Sequence, residues 1–433
     1  MTPSRQLAAT LLLLTGCVVL FQERTAVTFR LVPWGDAAYY ADMTQSLYFG
    51  TAPQMRYPTM HSRRILAPSI VAVALNVGDA IEPPASPPRP AFLSYEAHYP
   101  LPLERNPFYP RMLRAWHWVQ ITAFFAIGLL TLLLVRSLAP TLAGWQVVTL
   151  VGVLALCPSL GRLYFAWPFA NDLVGIALGL ASLALLTRGL VLLSALLLGL
   201  AALARENLFL VYPAFVWVAR VLRPQPPRMI AAHAALAAAP YLFFCLWPLF
   251  PNVVVFYDLS TGLRGSSAGA IHDYLSLVGG HVGFMLNDPA WPAQRIASQW
   301  LAAGPLLLLT ARCYPWSRAQ VRRDWLLWGA FLLCAVVSFR VDRYLVYGIL
   351  PLLLLAPHVA QASLPLATWA ALVGLYVAAL RPWAFVIRGE ELQVETTPLE
   401  TSAVLALLAV AAVVMILLDA RRARTAVADA RRD

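Results

Sequence analysis

The residues best suited to chemistry stand just after the first apolar run, in Pro33-Trp34-Gly35-Asp36-Ala37-Ala38-Tyr39-Tyr40-Ala41-Asp42-Met43. The stretch reads as a helix start. On a helix, Asp36, Tyr39, Tyr40 and Met43 share a face by i, i+3 and i+4 spacing, while Asp42 points roughly 120° away from Asp36. A two-carboxylate metal site is thereby disfavoured, and Asp36 is left as a lone carboxylate placed to take a proton from an incoming hydroxyl. Asp36 equally reads as a helix N-cap, and Tyr39 and Tyr40 as a sugar platform or an interfacial aromatic belt.

A second candidate is Arg56-Tyr57-Pro58-Thr59-Met60-His61-Ser62-Arg63-Arg64-Ile65-Leu66-Ala67-Pro68. Guanidinium forks bind phosphate oxygens bidentately, so Arg63 and Arg64, with His61 nearby, suit a phosphate on which charge develops; snorkelling to headgroups is the plain alternative. Three shorter motifs follow: Asn171-Asp172 after Trp167-Pro168-Phe169-Ala170, Arg205-Glu206-Asn207, and Arg340-Val341-Asp342-Arg343-Tyr344. Arg340 and Arg343 share a face at i, i+3 and could grip one phosphate. Asn171-Asp172 could merely cap a helix, and Arg205-Glu206 could be a self-neutralising turn.

Asp258, His272, Asp273, His281 and Asp288 gather in one polar stretch, but without His-Glu-x-x-His or Cys/His ligand spacing they suggest loop or acceptor contacts rather than a metal. No metal site is expected; a divalent cation is compatible with the chemistry but not required. The five cysteines, four of them within apolar runs, include no Cys-x-x-Cys pair and read as packing residues. Leu14-Thr15-Gly16-Cys17 resembles a lipoprotein cleavage box, yet the apolar run continues past it and favours an uncleaved span.

The elements that must position these residues are set by composition. The 433 residues are 60% hydrophobic and 12% charged, a balance that calls for lipid as solvent. The expected fold is all-α, a polytopic membrane protein of about twelve spans. They fall near Leu7–Gln22, Leu113–Val135, Trp145–Ser159, Asp172–Thr187, Leu190–Ala204, Asn207–Val221, Ile230–Phe250, Ile296–Leu309, Trp325–Phe339, Tyr344–Ala360, Leu364–Leu380 and Ser402–Leu418.

The net charge of +11 is carried by Arg alone, since the chain has no Lys, which excludes a P-loop or Schiff-base lysine. The arginines are scattered between spans, so nucleic acid is not an expected partner and membrane orientation explains them. Arg220, Arg223, Arg228, Arg312, Arg318, Arg322, Arg323 and the tail arginines from Arg421 to Arg432 then mark the cytoplasmic side. Parity rests on Thr187 to Leu222, which as one helix would run about 50 Å and must fold back at Arg205-Glu206.

Residues 1–433 form one membrane-embedded domain in this reading. Residues 23–112 form a first outer loop carrying surface helices, of which Ile65–Gly78 is one, and residues 251–294 form a second outer loop. Cytoplasmic loops are too short for a nucleotide-binding domain, so any activated donor must arrive in the membrane on a lipid.

The Asp-x-x-Tyr-Tyr setting of Asp36, followed by Tyr-Pro…Arg-Arg-x-Leu-x-Pro, resembles the GT-C class of membrane glycosyltransferases. The resemblance implies a multi-span helical fold, Asp36 as catalytic acid residue of the first outer loop, and Arg63 and Arg64 on the side of a polyprenyl-phosphate-sugar donor. Asn171-Asp172, Arg205-Glu206 and Arg340 to Tyr344 are similar to further pieces of that class. The Asp-Glu pair of its protein O-mannosyltransferases is missing, which argues against a protein acceptor.

The expected function is inverting transfer of a hexose or pentose from a polyprenyl-phosphate-linked sugar to a hydroxyl of a lipid-linked glycan or surface polymer. It would take place on the outer face of the plasma (inner) membrane. A flippase or transporter for lipid-linked saccharides is the alternative, although no matching halves are visible; a ligase joining whole glycans is another.

Overall fold

A computed structural model describes residues 2–28, 36–54, 64–84, 87–91, 106, 108–155, 169, 171–246, 306–307, 309–338, 342–361, 384–388 and 391–395. Among them the chain is helical: α1 (Pro3–Thr28), α2 (Asp36–Phe49), α3 (Leu66–Ile81), α4 (Phe108–Leu138), α5 (Gly144–Ala155), α6 (Asp172–Thr187) and α7 (Val191–Ala204) come first. A 3-10 helix (Glu206–Val211), α8 (Tyr212–Trp217), a π-helix (Val218–Leu222), α9 (Pro227–Leu246) and α10 (Arg318–Ser338) follow. A second 3-10 helix (Asp342–Gly348), α11 (Ile349–Leu353) and α12 (Ala356–Gln361) end the helical part.

One feature departs from the all-α expectation. The strands β1 (Ala384–Arg388) and β2 (Glu391–Glu395) form an antiparallel hairpin with Ala384 opposite Glu395 and Arg388 opposite Glu391. Period-2 alternation is hard to see in an apolar stretch this short.

Helix α4 is the one described helix long and apolar enough to cross a membrane by length and composition. Its 31 residues reach about 46 Å, and the side-chain oxygen of Asn106 accepts the Phe108 N–H at 2.9 Å where the helix begins. Pro110 is harmless there, because first-turn amides have no intrahelical partner. Helices α3, α6, α7 and the first part of α1 are shorter and apolar.

The α6–α7 hairpin is the core of the bundle. Gly189 turns it with φ +83°: its N–H donates to Leu186 O and that of Leu190 to Leu185 O, the paired bonds of a Schellman ending that glycine alone adopts without strain. The expected fold-back after α7 is present, since Arg205 is extended at φ −156° and ψ 108° and ends the helix. The return leg is irregular, a 3-10 turn, a short α-helix and a π turn, but it reaches the far end, where Arg223 Nε donates to Thr187 O at 2.8 Å. The tenth expected span is likewise broken into 3-10 and α pieces, with Pro351 and Pro357 inside them.

Polar side chains join helices within the apolar body. Ser182 on α6 donates to Ser194 O at 2.7 Å; Ser194 on α7 meets His233 Nε2 on α9 at 3.1 Å; and His233 Nδ1 meets the Tyr212 hydroxyl of α8 at 3.1 Å. Each such bond satisfies a polar group away from water and ties two helices together. At the end marked by Arg223, buried Asp324 of α10 accepts from Trp217 Nε1 at 3.0 Å, Tyr314 OH at 3.2 Å and Gln320 Nε2 at 2.6 Å. His358 of α12 stands 3.4 Å from the same carboxylate.

Helix α3 buries Ala67, Val71, Ala72 and Leu75, yet its other side is also apolar, with Val73, Val77 and Ile81 exposed by 61%, 54% and 80%. Water is a poor solvent for both faces, so the free one suits lipid. Helix α7 packs closely on α9, where a Cβ on Gly199 would lie 2.8 Å from Pro240 Cγ and 3.0 Å from Ala237 O. Gly199→Ala should therefore destabilise the bundle by about 1–3 kcal/mol, read as a lower unfolding temperature in detergent, while Gly16→Ala, whose Cβ meets nothing within 4 Å, should leave it unchanged.

Candidate functional site

Opposite the Asp324 end, four separate motifs meet in one buried cluster. Arg64, immediately ahead of α3, turns its fork onto Glu206: Nε donates to Oε2 at 2.8 Å and Nη2 bonds Oε1. Arg205, the neighbour of Glu206, pairs instead with Asp172 at the start of α6, Nε to Oδ1 at 3.0 Å. The pairs are crossed. Between them stands the Tyr40 hydroxyl of α2, accepting from Arg64 Nη1 at 2.8 Å and Arg205 Nη1 at 3.1 Å. The Tyr347 hydroxyl donates to Asp172 Oδ1, and Asn171 Nδ2 donates to the Arg64 carbonyl at 3.1 Å.

Among the described residues two arginines and two carboxylates offset one another, which favours burying them together. Arg64, Asp172, Arg205 and Glu206 are each no more than 5% exposed. Burial drives the Glu206 carboxyl upward, but the charge and hydrogen bonds of Arg64 and the charge of Arg205 outweigh it and hold the group below the usual carboxylate range.

Local sequence makes room for this. Gly175, one turn after Asp172, faces the Arg205 stem, where an added Cβ would lie 3.2 Å from Arg205 Cβ. Gly179 similarly faces Leu208 at 2.9 Å, letting the 3-10 turn lie against α6.

Several sequence expectations change character. Asn171 precedes α6 with helical φ and ψ and no side-chain capping bond, so the pair Asn171-Asp172 is not a simple cap. Arg205-Glu206 is not a self-neutralising turn in the sense of a mutual hydrogen bond, since each takes its bonding partner from elsewhere in the chain. Tyr40 is 3% exposed with its oxygen held by two guanidiniums, and Tyr39 is 7% exposed. Tyr40, Arg64, Asn171, Asp172, Arg205 and Glu206 are thus all buried and bonded to one another.

Helix α2 begins at Asp36 itself, one turn before Tyr40. The side chains of Asp36, Arg343 and Tyr344 lie outside the described ones, as do residues His61, Arg63 and Arg340 and the loop 251–294. Among the described residues no group of three or more His, Cys, Asp or Glu could hold a metal.

Further residues fix α2, and of these the sequence singled out Asp42 alone. Trp116 Nε1 donates to Thr44 Oγ1 at 3.0 Å, and Thr44 donates to Tyr40 O at 2.7 Å. Asp42, fully buried, accepts from Gln45 Nε2 at 3.0 Å and from the Gln54 N–H at 3.3 Å. Tyr347 stands one turn beyond the Arg343-Tyr344 motif, and that spacing was the available signal.

No family model matches the chain, and no curated protein or solved structure matches it.

Glu206→Gln would take the bidentate Glu206 counter-charge from buried Arg64 and should cost about 3–5 kcal/mol, whereas the pair Arg64→Met with Glu206→Leu should recover most of that; unfolding of both variants in detergent reads the difference. Because the folded Glu206 value is depressed, its stabilisation is complete above the ordinary carboxylate range and is lost as pH falls through the folded value. A titration of unfolding temperature from neutral to acid should show a fall in the wild type that is smaller in Glu206→Gln.

Proposed function

We propose that this chain is a polytopic glycosyltransferase of the plasma (inner) membrane, working at the outer surface on a polyprenyl-phosphate-linked sugar. The observation that carries the reading is the crossed ion-pair cluster, which fixes α2 through Tyr40 one turn from Asp36 and anchors it to the ends of α3, α6 and α7. A carboxylate at the start of a helix fixed in this way suits a general base, because the backbone that carries it is positioned before substrate arrives.

The apolar helices and the lipid-suited face of α3 support a membrane setting. The resemblance of the Asp36 and Arg63-Arg64 segments to the GT-C class supports the reaction type.

In the reaction, Asp36 takes the proton of the acceptor hydroxyl as that oxygen attacks the anomeric carbon. The carbon–oxygen bond to the lipid phosphate breaks, and its electron pair leaves with polyprenyl phosphate. Configuration inverts. Negative charge grows on the departing phosphate, where guanidinium groups stabilise it most effectively. Arg63 and Arg343 are the candidates, because Glu206 already occupies the Arg64 fork.

Asp36→Asn should abolish transfer while expression and membrane insertion stay normal, measured as loss of the product glycan in membranes supplied with native lipid donors. Retained turnover would remove the carboxylate from the mechanism. A membrane-impermeant thiol reagent should label Thr51→Cys in intact cells and Ser317→Cys only after permeabilisation; the reverse pattern would place the cluster on the wrong face.

A further inference from the structure

A groove of about 1120 Å³ opens between α3 and α4, floored by Val174 and Ala177 of α6. Its α4 wall runs from Arg111 to Ala126, which is about 22 Å of helix. The chemistry changes along it. Arg111, Arg114 and the 66%-exposed Trp118 line the beginning, with Glu82 and Pro83 on the opposing rim, and Ala123 and Ala126 line the far part.

Between Trp118 and Val135, α4 carries no charged residue, a stretch of about 27 Å that matches the hydrocarbon layer. Tryptophan and arginine mark the headgroup level. The groove therefore starts among headgroups and ends near the bilayer centre, where its occupant must be a lipid chain.

What the chain carries follows from where the mouth lies. Arg111 pairs with Asp79, and the same carboxylate accepts the Tyr48 hydroxyl, so the mouth is fixed to the far half of α2. From Thr44, bonded by Trp116 just past Arg114, to Asp36 is eight residues of α2, or about 12 Å, and from Tyr48 it is twelve, or about 18 Å. A single sugar on one phosphate, with that phosphate at Arg114, does not cover either distance. A saccharide of several units on a lipid diphosphate does.

We infer that the α3–α4 groove seats the lipid of a lipid-linked oligosaccharide acceptor, with its phosphates at exposed Arg114 beside Arg111 and its saccharide extending along α2 toward Asp36. This rests on the glycosyltransferase reading and gives it a second lipid site, separate from the donor's.

The test uses the full chain in nanodiscs and a polyprenyl diphosphate disaccharide bearing a diazirine on its lipid. Photolabelling should fall on peptides from Leu66–Ile81 and Arg111–Ala126. It should drop about tenfold or more in Arg114→Glu, the scale of one lost charge-assisted hydrogen bond, and comparably in Ala74→Trp, which fills the groove from an exposed position. Unlabelled probe should compete and phosphatidylglycerol should not. Asp36→Asn should label like the wild type while transferring nothing.

Labelling elsewhere, equal competition by phosphatidylglycerol, or unchanged acceptor KM in Ala74→Trp would overturn the groove assignment and leave sugar transfer standing. Groove labelling with no transfer by the wild type from any native donor would overturn the enzyme reading while supporting the lipid-saccharide site.

Discussion

Four charges buried together cannot be stable singly, and the fold of this bundle end follows from how they are shared. Were Arg205 bonded to its neighbour Glu206, both would be satisfied by one turn of chain and nothing distant would be held. Crossing the pairs changes that: Glu206 reaches across 142 positions to Arg64, while Arg205 reaches back to Asp172. Removing any member leaves a charge in a low-dielectric interior, so the arrangement is closer to all-or-none than a set of surface ion pairs.

Tyr40 turns this electrostatic arrangement into a positional one. Its phenolic oxygen receives a hydrogen bond from each arginine, so α2 is registered against both pairs at once. The Trp116–Thr44 bond and the bonds of Gln45 with Ala91 extend the registration along the helix, and the contact of Tyr48 with Asp79 closes it at the other end. A helix this thoroughly fixed is a precise mount for whatever its first residue does.

Much of this was legible in the sequence because polar residues in an apolar chain are conspicuous. Asp172, Arg205, Glu206 and Arg64 each interrupt or border a hydrophobic run, and the run from Thr187 to Leu222 is too long for one crossing, which exposes the turn at Arg205. The bounds of α6 follow from the same reasoning, with Asp172 opening it and Gly189 stopping the chain just past Thr187. Partnership was not legible. Spacing relates residues within one helix, whereas Arg64–Glu206 depends on how separate helices pack, and sequence offers no period for that. Tyr347 was missed for a similar reason: a tyrosine among Leu, Val and Ile reads as core until a carboxylate is found beside it. The irregular stretch after Glu206 carries only Pro213 as a warning of its broken geometry.

The Gly189 hairpin has a consequence for how such a molecule can be made. Asp172 and Arg205 sit at the open ends of its two legs, so their charges can cancel once both legs have left the ribosome, before later segments have emerged. Glu206, emerging next, finds Arg64 already synthesised and waiting. Each buried charge is thus matched in the order of translation, and the chain need not carry an isolated ion into the bundle while the rest of it is still being built.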